Sequence, residues 1–339
     1  MSRAAAAVWG KGESRSAHQV ITKFATTQPQ QAPTRRSHAP PTEIPDPLRQ
    51  RIHAELIKGF KHFPRKSGSG PGGSRYEHWA PLAQDPQMAT DVASCLMHMI
   101  DGRMPFEALD AFLAANLVGI GKRDGGTQVL GQGGTARRRV GRAVAHALNQ
   151  EIAQAAGPRQ YGLRKDGASA LHRRLTAHVA ANPDTGIVSL DIADAFTAVD
   201  RDVALDAVAR HCPDLYPIVL SWLNRSTDHV VPDTEGGPSL RMSQHRGLDQ
   251  GCPLSPGIYS ITSADPLAST VVQMRCQTYI SLHQDLQTAV AGQSGAGDPA
   301  AFAMDSRAPP WPLGRGGPLP RSRWGPHRPQ GQILCLRRS

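Results

Sequence analysis

The chain has 339 residues, enough for one large domain or two modest ones, and its apolar share of 39% predicts a folded core diluted by unfolded segments. The formal net charge of +10 is typical of proteins that bind nucleic acid. However, residues 1–45 carry +4 and residues 306–339 carry +7, which leaves −1 over residues 46–305, so the positive charge lies in the two ends of the sequence. The five cysteines form no CxxC pair, and no apolar run reaches the roughly 18–20 residues that span a bilayer. We therefore expect no disulfide framework, no zinc site, no membrane partner, and a reducing intracellular compartment such as the nucleus.

The predicted elements begin after residue 45. Residues 1–45 lack hydrophobic periodicity, which predicts a disordered basic tail. Apolar residues at helical spacing predict helices over 47–60, 86–101, 135–156, 201–212, 214–224 and 256–274, with one more opened by Pro105 and one capped by Asp166. Turn signals and β-type patterns predict a hairpin within 116–131, a buried strand over 186–192 and a β-ribbon over 227–243.

Together these elements predict an α/β fold (α+β) between two disordered tails. Hydrophobic periodicity ends near residue 290, and residues 306–339 hold seven Pro, five Gly and seven Arg. The predicted segments are a basic tail at 1–45, a helical region with a hairpin at 46–185, a sheet region at 186–290 and an Arg/Pro/Gly-rich tail at 291–339. We interpret the abrupt loss of periodicity as the chain leaving an ancestral reading frame.

Asp191 is the first candidate for chemistry. It follows the apolar run at 187–190, and a carboxylate at the end of a buried strand is costly unless it is paired or binds a metal. An Asp that caps the next helix or lies in a turn explains the same local pattern. Asp194 is three residues away and so does not share a strand face with Asp191. This spacing fits poorly with haloacid-dehalogenase phosphatases, whose acids are two residues apart.

A second candidate is the segment RGLDQGCPLSPGIYS at 246–260. Its glycines permit a close approach of the backbone to a ligand. Pro256 fits just inside a helix start, with Ser255 as the cap. Taken alone, the segment predicts no more than a loop that leads into a helix.

Two motifs in this order resemble reverse transcriptases. LDIADAF at 190–196 resembles their motif A, in which an Asp is followed four residues later by a small residue and then an aromatic. GLDQGCPLSP at 247–256 resembles their motif B, a Gly, two variable residues, Gln-Gly, one variable residue and Pro-Leu-Ser-Pro. Either motif alone is a moderate signal, and the two together in this order are a strong one.

Upstream segments extend the resemblance to non-LTR retrotransposon enzymes. The loop SGSGPGGSRYEHW at 67–79 is similar to their Gly-Pro-Asp-Gly loop, and GPRQYG at 157–162 is similar to their Gln-aromatic-Gly turn. In the hairpin at 122–130, Lys122 and the Gly-Gly pair match the fingers motif, whereas Gln128-Val129-Leu130 replaces its Arg-Pro-Ile. The resemblance covers about 60–270 and implies a fingers-like region at 46–185 and a partial palm at 186–290.

The resemblance also implies nucleotide-binding roles. Phe196 would lie under the sugar of the incoming deoxynucleotide and reject a 2′-hydroxyl by its bulk. Gln250 and Gly251 would line the nucleotide and the template. Lys122 would contact the triphosphate as a point charge. For the arginines at 137–139, phosphate contacts and a solvated helix face are equally good interpretations.

The implied metal site is incomplete in this sequence. Asp191, with the backbone carbonyl of Ile192, would hold two magnesium ions that activate a primer hydroxyl and stabilise the leaving pyrophosphate. The Tyr/Phe-X-Asp-Asp hairpin that supplies the other carboxylates in the family does not occur. Cys276-Gln277 within MRCQTYI and Asp305 within FAMDS are its two weak remnants.

We therefore expect that the chain descends from an RNA-directed DNA polymerase whose partners are an RNA template, a DNA primer and deoxynucleotides. We expect little or no polymerase activity in this chain. No thumb, endonuclease or RNase H pattern follows motif B. Two alternatives stay open: a non-enzymatic remnant that binds nucleic acid through its basic tails, and an unstable pseudogene product.

Overall fold

The structure is a computed structural model that describes residues 14–38, 43–61, 67–101, 104–122, 125–183, 185–232, 238–267 and 332–337. Its helices are α1 (Ala17–Ala25), α2 (Asp46–Gly59), α3 (Pro86–Met97), α4 (Phe106–Leu113), α5 (Thr135–Ala147), α6 (Asn149–Ala155), α7 (Gly167–Ala181), α8 (Arg201–His211), α9 (Tyr216–Leu223) and α10 (Ser255–Thr262), with a 3₁₀ helix at Tyr76–Ala83. Its strands are β1 (Ala115–Gly121), β2 (Thr127–Gly133), β3 (Thr185–Leu190), β4 (Thr227–Val231), β5 (Leu240–Gln244) and β6 (Gln332–Arg337). The predicted mixed α/β class is confirmed.

The main sheet joins the predicted hairpin to the predicted ribbon. Its strand order is β2-β1-β4-β5. The pairs β1–β2 and β4–β5 are antiparallel, and β1 meets β4 in parallel at Asn116 and Val230. The sheet therefore connects a part of the chain before motif A to the part just before motif B.

The strand that precedes motif A is separate from this sheet. β3 pairs antiparallel with β6, which falls in the stretch predicted to be a disordered tail. The prediction of a buried strand is wrong for Ile187, whose exposed fraction is 48%. An apolar run alone does not distinguish a strand covered on both faces from one with an open face.

Helix α1 corrects the prediction of disorder within residues 1–45. Ser16 caps this helix in a capping box with Gln19, which satisfies the first free N–H groups. Val20 and Phe24 are buried against the main sheet, where they pack with Leu117 and neighbouring apolar residues. The helix was missed because nine residues offer too little periodicity, and because its stability comes from packing.

Most of the longer helices agree with the sequence. The helix predicted at 47–60 is α2, and its buried residues Leu48, Ile52 and Leu56 have the expected spacing. The helix predicted at 135–156 is divided at Leu148, whose φ of −105° and ψ of 20° separate α5 from α6. Pro105 precedes α4 as its N-cap residue rather than opening it.

A single cluster of buried apolar residues extends from Ile44 to Ile261. It takes side chains from α2, α5, α8, α9 and α10, so the predicted fingers-like region and partial palm share one core. Across the described residues, no helix is long and apolar enough to cross a membrane.

Candidate functional site

Motif A forms a tight turn directly after β3. Asp191 is exposed at the end of the strand, and Ile192 packs partly against the core. Asp194 has a φ of 48°, in the left-handed region, and its carbonyl oxygen accepts hydrogen bonds from the Thr197 hydroxyl at 3.1 Å and the Ala198 N–H at 2.9 Å. The turn thus reverses the chain between Asp191 and the aromatic residue of the motif.

Motifs A and B are joined by their backbones. The Leu248 N–H donates to the Phe196 carbonyl at 2.7 Å, and the Gly247 N–H donates to the Val199 carbonyl at 2.7 Å. Gly247 has a φ of 87°, and a Cβ at this position would lie 2.4 Å from the Thr197 carbonyl oxygen. Only glycine fits this crossing, which explains the first Gly of motif B.

The aromatic ring of motif A rests on a tyrosine that the sequence interpretation did not single out. The rings of Phe196 and Tyr259 have centroids 5.2 Å apart at 43°. Burial raises the pKa of Tyr259 to about 12, and the negative charge of Asp191 adds to this shift. Tyr259 therefore contacts Phe196 and lies close enough to Asp191 for that charge to affect its pKa.

The Gln-Gly pair of motif B is held against strand β2. The Gly131 N–H donates to the Gln250 carbonyl at 3.0 Å, and the Gln128 side chain donates to the Gln250 side-chain oxygen at 2.8 Å. Gly251 has a φ of 127°, and a Cβ there would lie 2.8 Å from the Gly131 carbonyl oxygen. Gln128 occupies the place of the Arg in the fingers motif, so a neutral amide pair replaces a cation next to Gln250.

Lys122 lies at the turn of the β1–β2 hairpin. Its N–H donates to the Gly126 carbonyl at 2.8 Å, and its own carbonyl accepts from the Gly125 N–H at 3.1 Å. The Arg15 guanidinium also donates to the Gly125 carbonyl at 3.1 Å. The side chain of Lys122 is exposed, and the hairpin that carries it leads through β2 to the Gln250 contact.

The arginine run at 137–139 has a structural role that neither interpretation included. Arg137 is 8% exposed, and its guanidinium pairs with Asp249 at 2.7 Å and donates to the Leu113 carbonyl at 2.6 Å. Asp249 is the residue directly before Gln250, so this ion pair connects helix α5 to motif B. A signal was present in the sequence, because Arg137 lies three residues before Val140 on the apolar face of α5.

The other two arginines stack on aromatic rings. Arg139 is 4% exposed, with its guanidinium 4.8 Å from the centroid of Phe60 and 5.2 Å from that of Tyr76. Burial lowers the pKa of Arg139 to about 10, so it stays charged at neutral pH. Arg138 donates to the Gly68 carbonyl at 2.6 Å. Burial rules out both the phosphate contact and the solvated face for Arg137 and Arg139.

The described residues do not form a two-metal site. The second acid of motif A, Asp194, makes an ion pair with Lys23 at 2.6 Å. Within the described ranges, no three His, Cys, Asp or Glu side chains are grouped as metal ligands. Asp191 and the Ile192 carbonyl alone would leave two divalent ions poorly neutralised. The predicted remnants at Cys276-Gln277 and Asp305 lie outside the described residues.

Residues 120–282, just under half of the chain, match the sequence profile of the reverse transcriptase (RNA-dependent DNA polymerase) family. The predicted resemblance is confirmed for this segment. It contains Lys122 and both motifs, whereas the loop at 67–79 and Asp305 lie outside it. No curated protein matches the chain. Similarity to this family implies nucleic-acid and nucleotide partners in general, and a general use of divalent metal ions.

Proposed function

We propose that this chain is the fingers and the front part of the palm of a non-LTR retroelement reverse transcriptase. In this proposal it binds an RNA template, a DNA primer and deoxynucleotides, but synthesises little or no DNA. Its ancestral activity is RNA-templated DNA synthesis with two magnesium ions, and Asp191 is the remaining catalytic acid.

The observation that carries the proposal is the direct connection between the two motifs. The backbones of Phe196 and Leu248 are joined by a hydrogen bond, and the Gln250 carbonyl accepts a hydrogen bond from β2. These contacts join Phe196, the Gln250-Gly251 segment and the hairpin of Lys122 in one connected unit, which supports a shared nucleotide-binding role for them. A nucleotide needs such a preformed wall, since binding is weaker when the protein must first be ordered.

The loss of activity is inferred from the acidic residues. No two of the 28 Asp and Glu residues are adjacent anywhere in the sequence, so the Asp-Asp pair of the family cannot be formed by any neighbouring residues. Two-metal catalysis would need several carboxylates to hold both ions, which would stabilise the attacking and leaving oxygens. We therefore assign binding, rather than efficient turnover, to this chain.

Primer extension on an RNA template with magnesium tests the proposal, with Asp191→Asn as the matched control. We expect both proteins to extend the primer no more than a protein-free reaction, and both to bind the primer–template. Robust extension that disappears in Asp191→Asn would show that the chain is an active polymerase. Failure of the full chain to bind primer–template would instead favour an unstable pseudogene product.

A further inference from the structure

Asp249 occupies one of the variable positions of motif B, yet it is one of the buried charged residues in the described part of the chain. The side chain is 5% exposed. One oxygen, Oδ2, pairs with Arg137 at 2.7 Å, and the other, Oδ1, lies 3.0 Å from Nε2 of His229. Each carboxylate oxygen of Asp249 therefore contacts a side chain of another element, one on helix α5 and one on strand β4.

The Arg137 side of this cluster is fixed to the fingers-like region. The guanidinium uses a second nitrogen to donate to the carbonyl of Leu113, the last residue of α4. Burial by itself would lower the pKa of Arg137, but Asp249 and Cys252 raise it above the ordinary value. Because the planar Arg137 guanidinium is hydrogen-bonded to both Asp249 and Leu113, it has little freedom to move.

The His229 side is fixed to the main sheet. The Ala115 N–H donates to Nδ1 of His229 at 3.1 Å, so the ring proton is on Nε2, which faces Asp249 and the Gln244 side-chain oxygen. Gln244 also accepts from Arg201 at 2.6 Å. Every polar atom of the His229 ring thus has a partner in strands β1, β5 or motif B.

The fixed carboxylate lies at the point where motif B contacts β2. A Cβ on Gly131 would lie 3.1 Å from the Asp249 carboxyl, and the Gly131 N–H donates to the Gln250 carbonyl at 3.0 Å. Replacement of a buried ion pair by apolar side chains is often neutral for stability. Such a pair therefore contributes more to where a segment lies than to whether the protein folds.

We propose that Asp249 is a positioning residue, which sets the place of Gln250 and Gly251 against β2 by locking motif B to Arg137 and His229. It does not touch the nucleotide itself. The proposal rests on the proposed function, because the positioned segment is the one assigned to the incoming deoxynucleotide.

Exchange of the Gly131 amide, measured by NMR on the full chain, tests the positioning directly. In Arg137→Met/Asp249→Leu both charges are removed together, so neither is left buried without its partner. We expect the Gly131 amide to exchange at least about 10-fold faster while the amides of α8 and α9 keep their protection. The control is Arg49→Met/Asp101→Leu, which removes an Arg–Asp pair with a buried Asp and a partly exposed Arg in the fingers-like region, and it should leave Gly131 unchanged.

Unchanged exchange at Gly131 in the folded double variant would overturn the proposal. If that variant does not fold cooperatively, Arg137→Lys decides, since it keeps the charge but cannot bond Asp249 and Leu113 together in the same geometry. We expect severalfold faster exchange, and unchanged exchange would again count against Asp249. Binding of a fluorescent deoxyadenosine triphosphate to the wild type is a separate readout: its absence contradicts the proposed function and leaves the Gly131 result standing.

Discussion

The charge of Asp249 is controlled by its neighbours rather than by solvent. Burial alone would raise the pKa of this carboxyl, but His229, Arg137 and Arg201 overcome burial and hold the pKa well below its usual range. Among the described residues, the oxygens that accept hydrogen bonds from Arg201 are neutral, and burial lowers the pKa of Arg201 to about 9. At neutral pH, the negatively charged Asp249 therefore lies near two buried cations, Arg137 and Arg201.

This arrangement predicts a steep loss of stability in acid. The pKa of Asp249 is lower in the folded state than in the unfolded state, so its contribution is complete above the unfolded value of about 4 and is lost as pH falls below it. The expected slope is up to about 1.4 kcal/mol per pH unit for this one proton. Thermal melting between pH 6 and 2.5 measures it. The curve of Arg137→Met/Asp249→Leu should fall less steeply than that of the wild type, and parallel curves would contradict the assignment.

At the scale of elements, the segment at 14–38 acts as a strap across the predicted palm. Lys23 pairs with Asp194 at 2.6 Å, and Arg36 pairs with Asp206 at 3.2 Å. His38 lies 3.0 Å from Asp202, a buried acid of α8. Of the four Lys and Arg residues at 14–38, Lys23, Arg35 and Arg36 are thus paired with acids of the same chain, whereas Arg15 donates to backbone carbonyls.

Phe24→Ala should release the strap from the main sheet. Phe24 is 2% exposed, and removal of a buried Phe side chain costs about 3–5 kcal/mol, which exceeds the stabilisation expected from the more exposed pairs Lys23–Asp194 and Arg36–Asp206. Limited trypsin digestion measures the release as cleavage after Lys23 and Arg35. We expect cleavage at least about 10-fold faster than in His18→Ala, a control at an exposed position of the same helix. Equal rates in the two variants would show that the ion pairs alone hold the strap.

Sequence-based predictions agree with the structure where the pattern lies within one segment of the chain, and they fail where the structure depends on contacts between distant residues. Helix α2 was predicted well because its apolar residues repeat over 14 residues. Helix α1 was missed because its nine residues are stabilised by a sheet that forms from distant segments. Motifs in the sequence singled out Phe196 and Gln250, whereas the partners of Asp249 are more than 19 residues away in sequence and have no local pattern.

At the scale of the whole molecule, positive charge is concentrated toward the two ends of the sequence. Residues 46–305 have a net charge of −1, and the described cations before them are largely paired with Asp194, Asp202 and Asp206. The seven arginines of 306–339 have no acidic residue within the same stretch. We therefore expect this stretch to carry most of the sequence-independent attraction to nucleic acid.

Replacement of the seven arginines at 306–339 by glutamine tests this distribution on the full chain. Each phosphate that a protein neutralises on duplex DNA contributes about −0.9 to the slope of log K against log salt concentration. Binding to an RNA–DNA primer–template, titrated with salt, should therefore lose several units of slope in this variant. Arg173→Gln, at an exposed position of α7, is the control and should change the slope by no more than about one unit. An unchanged slope in the seven-residue variant would assign binding to a groove of the folded region, where the surface charges of the fingers-like helices would have to supply the contacts.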